Sequence, residues 1–486
     1  MAEDVSVTKV DLTSVTPAPQ LVVGDGEGIT NPQQFVIDKL TLYLNDGTTF
    51  NLFPSLIELN IYEDLFSPTM TGHCMINDAS GFIETLNITA FDFIEISFNK
   101  INQDDPETFT RVFRVYKIGD RFQHSRQLEQ YPIYFCSEEL MLNEQIKVAQ
   151  AFQNQRVDQI IYNILFNSSP GLGVPLDKIG TIEETKNLYN FIVPNLKPFE
   201  AINWLSTYAQ PAGIEAQSAD MLFFQDKYGY NFRSLQSIMK DDLYATYNYS
   251  PQNVKGSSLN YDFNAMLAYK IIRSFDALKM INGGGYANKL ITIDPLLRTS
   301  KSTKFSYNDY FPDTESLGDY PITNGYKNRF DQTVSDASES VFKVAAGNKD
   351  EQKYIQDNNL TSTFTDAETG DVVDSLTYDI GIETYVPYRT AQLTLINHTK
   401  VEFTVPGDPS LTVGAIVCLN IPSGVNDPSI LEPQLDVYYS GNYMVTAVRH
   451  KLDVTGSYQC IAEAVLDSVN QDYIGSGGAI DDLKNQ

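Results

Sequence analysis

Period-two alternation of apolar and polar residues dominates this chain. Ile57, Leu59 and Ile61 share one face of a run, and Glu58, Asn60 and Tyr62 the other. After a bend at Ser67-Pro68, Met70, Gly72, Cys74 and Ile76 alternate with Thr71, His73, Met75 and Asn77. Successive side chains of a strand point to opposite faces, so both runs read as half-buried antiparallel strands. Pro68 cannot continue a ladder, which makes the bend a corner. Upstream, Leu40, Leu42 and Leu44 alternate with Thr41 and Tyr43 and end at Asn45-Asp46-Gly47, a tight hairpin turn. Ile94 to Phe98, Arg111 to Ile118 and Tyr131 to Cys136 add further short strands. Such a run over 35–136 predicts a closed antiparallel barrel, which leaves no exposed edge.

The period changes near residue 137. Val157, Ile160, Ile161, Ile164 and Leu165 form the stripe of an amphipathic helix. A second helix starts at Pro198, a favourable first helical residue, with Phe199, Ile202, Leu205 and Tyr208 inward. Met221 to Phe232 reads as a hairpin turning at Lys227-Tyr228-Gly229, so 137–238 is predicted to be a small α+β insert domain. Strand patterns return at Asn260 to Phe263, Leu267 to Phe275 and Leu290 to Pro295, with Ile281 to Tyr286 as a glycine turn. They return again at Val401 to Val405, Gly414 to Ile421, Gly441 to His450 and Tyr458 to Val465, after a short helix in Tyr388 to Thr399. Residues 239–330 and 387–470 together read as a second barrel. The fold class predicted is mainly β, two antiparallel barrels of tube type flanking the α+β domain. Residues 331–386 read as a polar insertion or linker, 1–34 as a flexible N-terminal arm and 471–486 as a flexible tail.

Composition narrows the function. A chain of 486 residues carries about two to four domains. Tyr (29) and Phe (27) against a single Trp favour strands over a helical bundle. Acidic residues outnumber basic ones 62 to 34, for a formal charge of −28, which argues against binding nucleic acid through its phosphates. The start, Met1 to Val5, has neither the basic nor the apolar region of a signal peptide, and no apolar run reaches the ~18 residues of a membrane span. Cys74, Cys136, Cys418 and Cys460 are scattered without a C-x-x-C pair and read as buried thiols of a reducing cytosol.

Candidate chemistry is sparse. His73, His124, His398 and His450 are isolated and lack zinc-ligand spacing. Gly283-Gly284-Gly285 has no following Lys-Ser/Thr, so it reads as a turn rather than a phosphate cradle. Asp366 to Asp371 lacks the spacing of a calcium loop. Arg111, Arg114, Lys117 and Arg121 form one basic cluster, with Arg111 and Arg114 on opposite faces of a strand. Two readings of that cluster stand open, pairing with the surplus acids or docking an acidic neighbour. No catalytic, cofactor-binding or metal-binding residue is assigned, and no enzyme activity or cofactor is expected.

Four strings in order resemble the central baseplate hub protein of contractile-tailed phages of the T-even type. They are Ile57 to Gly81; Phe113 to Arg121 with Phe135 to Glu139; Tyr189 to Asn195 with Pro198 to Leu205 and the Phe223 to Phe232 hairpin; and Val405 to Asp408 with Val413-Gly414, Ser440 to Val445 and Val448 to His450. The last string is similar to the hub part of VgrG spikes, with Gly414 and Gly441 expected at tight turns where a Cβ would clash. The resemblance implies a structural virion protein of the tail baseplate, assembled in the host cytoplasm. It implies a homotrimer that adapts a hexameric tail tube to a trimeric cell-puncturing spike around a DNA channel. Its partners would be the spike, the tail tube or tube-initiator protein and the baseplate wedge proteins. A distal tail or tube-initiator protein, a tail-associated cell-wall hydrolase and a secreted adhesin or carbohydrate-binding β-protein are the alternatives.

Overall fold

The first part of the chain is built from strands: β1 (Phe35–Tyr43), β2 (Thr49–Asn51), β3 (Leu56–Asp64), β4 (Thr71–Asp78), β5 (Phe93–Lys100), β6 (Phe109–Ile118), β7 (Phe122–Ser125) and β8 (Leu128–Cys136), with a short helix α1 (Phe82–Leu86) after β4. The computed structural model describes residues 33–86, 88–100, 108–125, 128–169, 171–213, 219–249, 264–294, 298–322, 332–336, 342–346, 363–365, 372–374, 382–424 and 435–470. The Ser67-Pro68 corner joins β3 to β4 as read, and β4 alternates strictly, with Gly72, Cys74, Ile76 and Asp78 buried. In β3 the ladder slips by one residue between Leu56 and Glu58. Leu56, rather than Ile57, therefore joins Leu59 and Ile61 in the core.

The middle of the chain follows the helical stripes. It holds α2 (Glu138–Gln145), β9 (Ala151–Gln155), α3 (Val157–Phe166), β10 (Ile179–Ile182), β11 (Tyr189–Ile192), α4 (Pro198–Ser206), β12 (Met221–Gln225), β13 (Tyr230–Ser234) and α5 (Leu235–Met239). Pro198 is the first residue of α4, where its missing N–H costs nothing, and Glu200 accepts the Lys197 N–H at 3.3 Å. The unforeseen α2 supplies the Asn143 carboxamide oxygen to the free Phe199 N–H of α4, at 2.8 Å. Val157, Ile160, Ile161, Ile164, Phe199, Ile202 and Phe223 share a core separate from that of the large sheet.

From there follow β14 (Leu243–Tyr249), β15 (Ala265–Met266), β16 (Ala268–Arg273), α6 (Ala277–Gly283), β17 (Ala287–Asp294), β18 (Thr299–Ser306), α7 (Tyr307–Tyr310), β19 (Phe342–Ala346), β20 (Thr363–Thr365), β21 (Val372–Asp374), α8 (Ile382–Leu395), β22 (Thr399–Pro406), β23 (Ile416–Asn420), β24 (Gly441–Asp453) and β25 (Ser457–Leu466). The glycine turn read at Ile281 to Tyr286 is instead the end of α6. Asp276 caps that helix by accepting the Lys279 N–H at 3.0 Å, and Gly284 closes it at φ 77°. Met280, Tyr286, Phe305, Tyr310 and Leu395 form a third small core around these elements. Within the stretch read as linker, β19 pairs in parallel with β17. The strand read at Asn260 to Phe263, the Asp366 to Asp371 loop and residues 1–32 and 471–486 lie outside the described residues.

The fold is mainly β, but two separate closed barrels are not what the ladders give. One branched sheet of 15 strands runs β15-β14-β23-β24-β3-β4-β8-β6-β5-β1-β2, with β25, β22 and β16 branching from β24 and β7 flanking β8. The cause is β24, at 13 residues the longest strand described. Met444 to Asp453 pair with β25 along one edge. Along the other edge, Gly441 to Met444 pair with β23, and Ala447 to Asp453 pair with β3. Among the described residues no ladder joins β1 or β2 to β3, so the first half stays open there. In the second half β15 pairs with β14 while β16, one residue later, pairs with β22, which curls that half back on itself.

Candidate functional site: the seam between the sheet halves

The β3–β24 ladder is the only described pairing between strands of the two halves, running from Ala447 opposite Asp64 to Asp453 opposite Glu58. Opposed residues of an antiparallel pair share a face, so the seam has two distinct sides. On the solvent side Glu58 meets Arg449 at 3.1 Å and Lys451 at 3.4 Å. Asn60 donates to Glu58 at 2.6 Å and accepts from Arg449 at 2.7 Å. Partial burial raises the affinity of Glu58 for a proton, but the Asn60 hydrogen bond, Lys451 and Arg449 outweigh it and hold the carboxyl below its ordinary range. His73 lies beside them, stacked on Tyr62 at 5.9 Å and tilted against Tyr134 at 5.5 Å.

The core side holds polar groups that the solvent never reaches. Glu63, His450, Tyr458 and Cys460 are all buried to 1% exposure or less. His450 Nδ1 lies 2.9 Å from the Tyr458 hydroxyl and 3.4 Å from Cys460 Sγ. Its Nε2 faces Glu63 Oε1 at 3.9 Å, and neither atom has a hydrogen-bond partner. Burial, with the Asp226 carboxylate adding to it, pushes Glu63 up to about 8 against the opposing Val413 N–H, Arg111 and Lys227. Burial lowers His450 to about 4. Both directions describe one neutral pair near pH 7, not an ion pair, because an unpaired charge at this depth costs more than a proton rearrangement.

A Cys–His pair 3.4 Å apart has the atoms of a nucleophile and its base. Here their state differs. Burial pushes the Cys460 thiol up to about 12 and the imidazole is held neutral, so no thiolate forms at neutral pH. Burial likewise raises Cys74 to about 12 and Cys136 to about 11, and all four cysteines are free thiols. His398 is buried and lowered to about 4, while His124 is exposed against Gln130 at 2.7 Å. Among the described residues no group of three or more His, Cys, Asp or Glu could hold a metal ion.

The basic cluster resolves into separate tethers. Arg111 donates to the Asp226 and Lys227 carbonyls at the β12–β13 turn. Arg114 pairs with Glu138 of α2 at 2.8 Å and lies 3.4 Å over the Phe93 ring. Arg121 pairs with Glu129 at 2.5 Å, and Lys117 sits 5.4 Å from the Tyr134 ring centre. Gln225 Oε1 accepts the Met70 N–H at 2.9 Å and the Ser137 hydroxyl at 2.6 Å. The bonds of Arg111, Arg114 and Gln225 fasten the α+β body to the first sheet half, while those of Arg121 and Lys117 stay within that half. Of the two glycines expected at turns, Gly441 has φ 145° and a Cβ there would strike Asn470, while at Gly414, with φ 87°, a Cβ would meet only Ile238 at an ordinary contact distance. A clash therefore explains Gly441, and backbone conformation explains Gly414. The meeting of Glu63 with His450 escaped the sequence reading. Glu63 follows Ile57, Leu59 and Ile61 at period two, and that misplaced charge on an apolar face was the available signal.

No protein-family model matches the chain. Among solved structures, the tail protein of Neisseria meningitidis MC58 is 8% identical, with a TM-score of 0.47 over 89% of this chain and 97% of that one. The 43 kDa tail protein of prophage MuSo2 from Shewanella oneidensis is 11% identical, with a TM-score of 0.48 over 89% of this chain and 99% of that one. In sequence, the chain is 23% identical over 295 residues to the probable baseplate hub protein of Vibrio phage KVP40, covering 60% of this chain and 67% of that protein. The chain is thus similar in sequence to a phage baseplate hub protein, the kind of protein that its four strings resemble.

Proposed function

We propose that the chain is a structural hub protein of a phage tail baseplate, acting as a homotrimer that joins a hexameric tail tube to a trimeric spike. The observation that carries this reading is the 295-residue similarity to a phage baseplate hub protein. Residues 35–136 and 239–330 with 387–470 serve as two tube-like units per protomer, giving a ring of six around a DNA channel. The seam supports a mechanical role. Two sheet halves that share β24 and one core pass load through main-chain ladder bonds rather than through a flexible linker. Partners in this reading are the spike, the tail tube or its initiator, and baseplate wedge proteins, on a virion assembled in the host cytoplasm. No described helix is long and apolar enough to cross a membrane.

The formal charge of −28 fits a channel that must not hold its cargo, because an acidic lumen repels the phosphate backbone. Electron microscopy of the purified assembly tests the reading. The expected image is a three-fold ring whose DNA-wide lumen is lined by Asp and Glu. A six-fold ring assigns the chain to the tube-initiator station instead, and a lumen lined by Lys and Arg removes the channel argument.

A further inference from the structure

The surface of the α+β body carries a feature apart from the seam. Between β9 and the outward side of α3 lie two adjoining hollows of ≈ 330 and ≈ 500 Å³, with Gln155 and Asn163 lining both. Sites that hold small organic ligands fall in the range of ~300–1,000 Å³. The remaining polar lining is again carboxamide: Gln150, Gln153 and Asn167 on one side, Gln159 on the other. No Lys or Arg lines either hollow. The one acid, Asp158, is already engaged by the Thr185 hydroxyl at 2.7 Å and by Arg156 at 3.1 Å.

One further observation points to a ligand. Beside the second hollow Tyr162 stacks on Phe166, centroids 5.6 Å apart, yet the two residues stay 37% and 41% exposed. Carboxamides both donate and accept, which matches hydroxyl groups that do the same. An exposed ring offers an apolar face for the C–H side of a pyranose. The missing cations disfavour phosphate and carboxylate ligands, which call for Arg or Lys.

We propose that these hollows bind a neutral oligosaccharide, with Tyr162 and Phe166 as the stacking platform and Gln155 and Asn163 hydrogen-bonding its hydroxyls. The full chain, in whatever oligomeric state it purifies, is examined by ligand-observed NMR. The probes are maltotetraose, mannotetraose, galactotetraose and N-acetylchitotetraose. Saturation transfer to at least one of them is expected, with an affinity near about 1 mM. Tyr162→Ala should weaken it by about tenfold, at the upper end of what one ring contact contributes. Gln155→Leu should weaken it too, whereas Phe275→Ala, which removes a 70% exposed ring elsewhere, should leave it unchanged. Circular dichroism checks that each variant keeps its fold, and a second ring variant, Phe166→Ala, replaces any that does not. Transfer to none of the four sugars overturns the proposal. So does equal binding by wild type, Tyr162→Ala and Gln155→Leu. None of these results bears on the trimer, so this proposal and the hub reading fail separately.

Discussion

The two sides of the β3–β24 seam are made by the same strands in the same register, yet they treat ionisable groups in opposite ways. On the solvent side Glu58, its carboxyl held below the ordinary range, pairs with Arg449 and Lys451 at 3.1–3.4 Å. On the core side Glu63 and His450 face each other at 3.9 Å with their charges suppressed. The difference is solvation. Water lets a charge persist for little free energy, and burial makes a proton shift the cheaper state. Strand periodicity alone therefore decides which acid of β3 is a salt-bridge partner and which is a buried neutral carboxyl.

The largest effect is expected on the core side. Tyr458 is fully buried, hydrogen-bonds His450 and packs on Phe98 at 5.4 Å. Tyr458→Ala should cost about 3–5 kcal/mol in urea unfolding. Behind Glu63, Arg111→Ala removes the bonds to the β12–β13 turn and should cost about 1–3 kcal/mol. Limited proteolysis should then release the α+β body sooner.

The pH response separates the two sides further. An acid with its ordinary value of 4.5 raised to about 8 keeps its proton in the folded chain after the unfolded chain has lost it, so Glu63 makes stability fall as pH rises across that window. His450, lowered from 6.5 to about 4, makes stability rise with pH between those values. The two oppose each other below pH 6.5, and only Glu63 acts from there to about pH 8. Glu63→Gln should therefore remove a decline in denaturation midpoint between pH 6.5 and 8 that the wild type shows. The same decline in both proteins would mean that Glu63 is not neutral. On the solvent side Lys451→Ala should cost less than about 1 kcal/mol, and added salt should shrink the difference, since such partly exposed pairs are screened. A loss as large as that of Tyr458→Ala would erase the contrast between the sides.

Local periodicity made much of this legible. The β3–β4 corner, the stripes of α3 and α4 and the β12–β13 hairpin stand where the sequence places them, because each pattern is set by neighbours in the chain. What escaped depends on partners far away. Nothing within Gly441 to Asp453 announces that one edge of β24 changes partner from β23 to β3, which fuses two expected barrels into one sheet. Three consecutive glycines read as a turn because the capping Asp276 was not weighed, although a helix start followed by Gly at its end is a local signal. His450 is isolated in the sequence, and its surroundings are set by Glu63 and Tyr458 on other strands.

The hub reading stands most directly on its oligomeric state. Light scattering of the purified chain over a range of concentrations should give a stable species near three times the chain mass of 54.5 kDa. A stable hexamer, or a monomer that persists at every concentration and in the presence of spike and tube proteins, would contradict it.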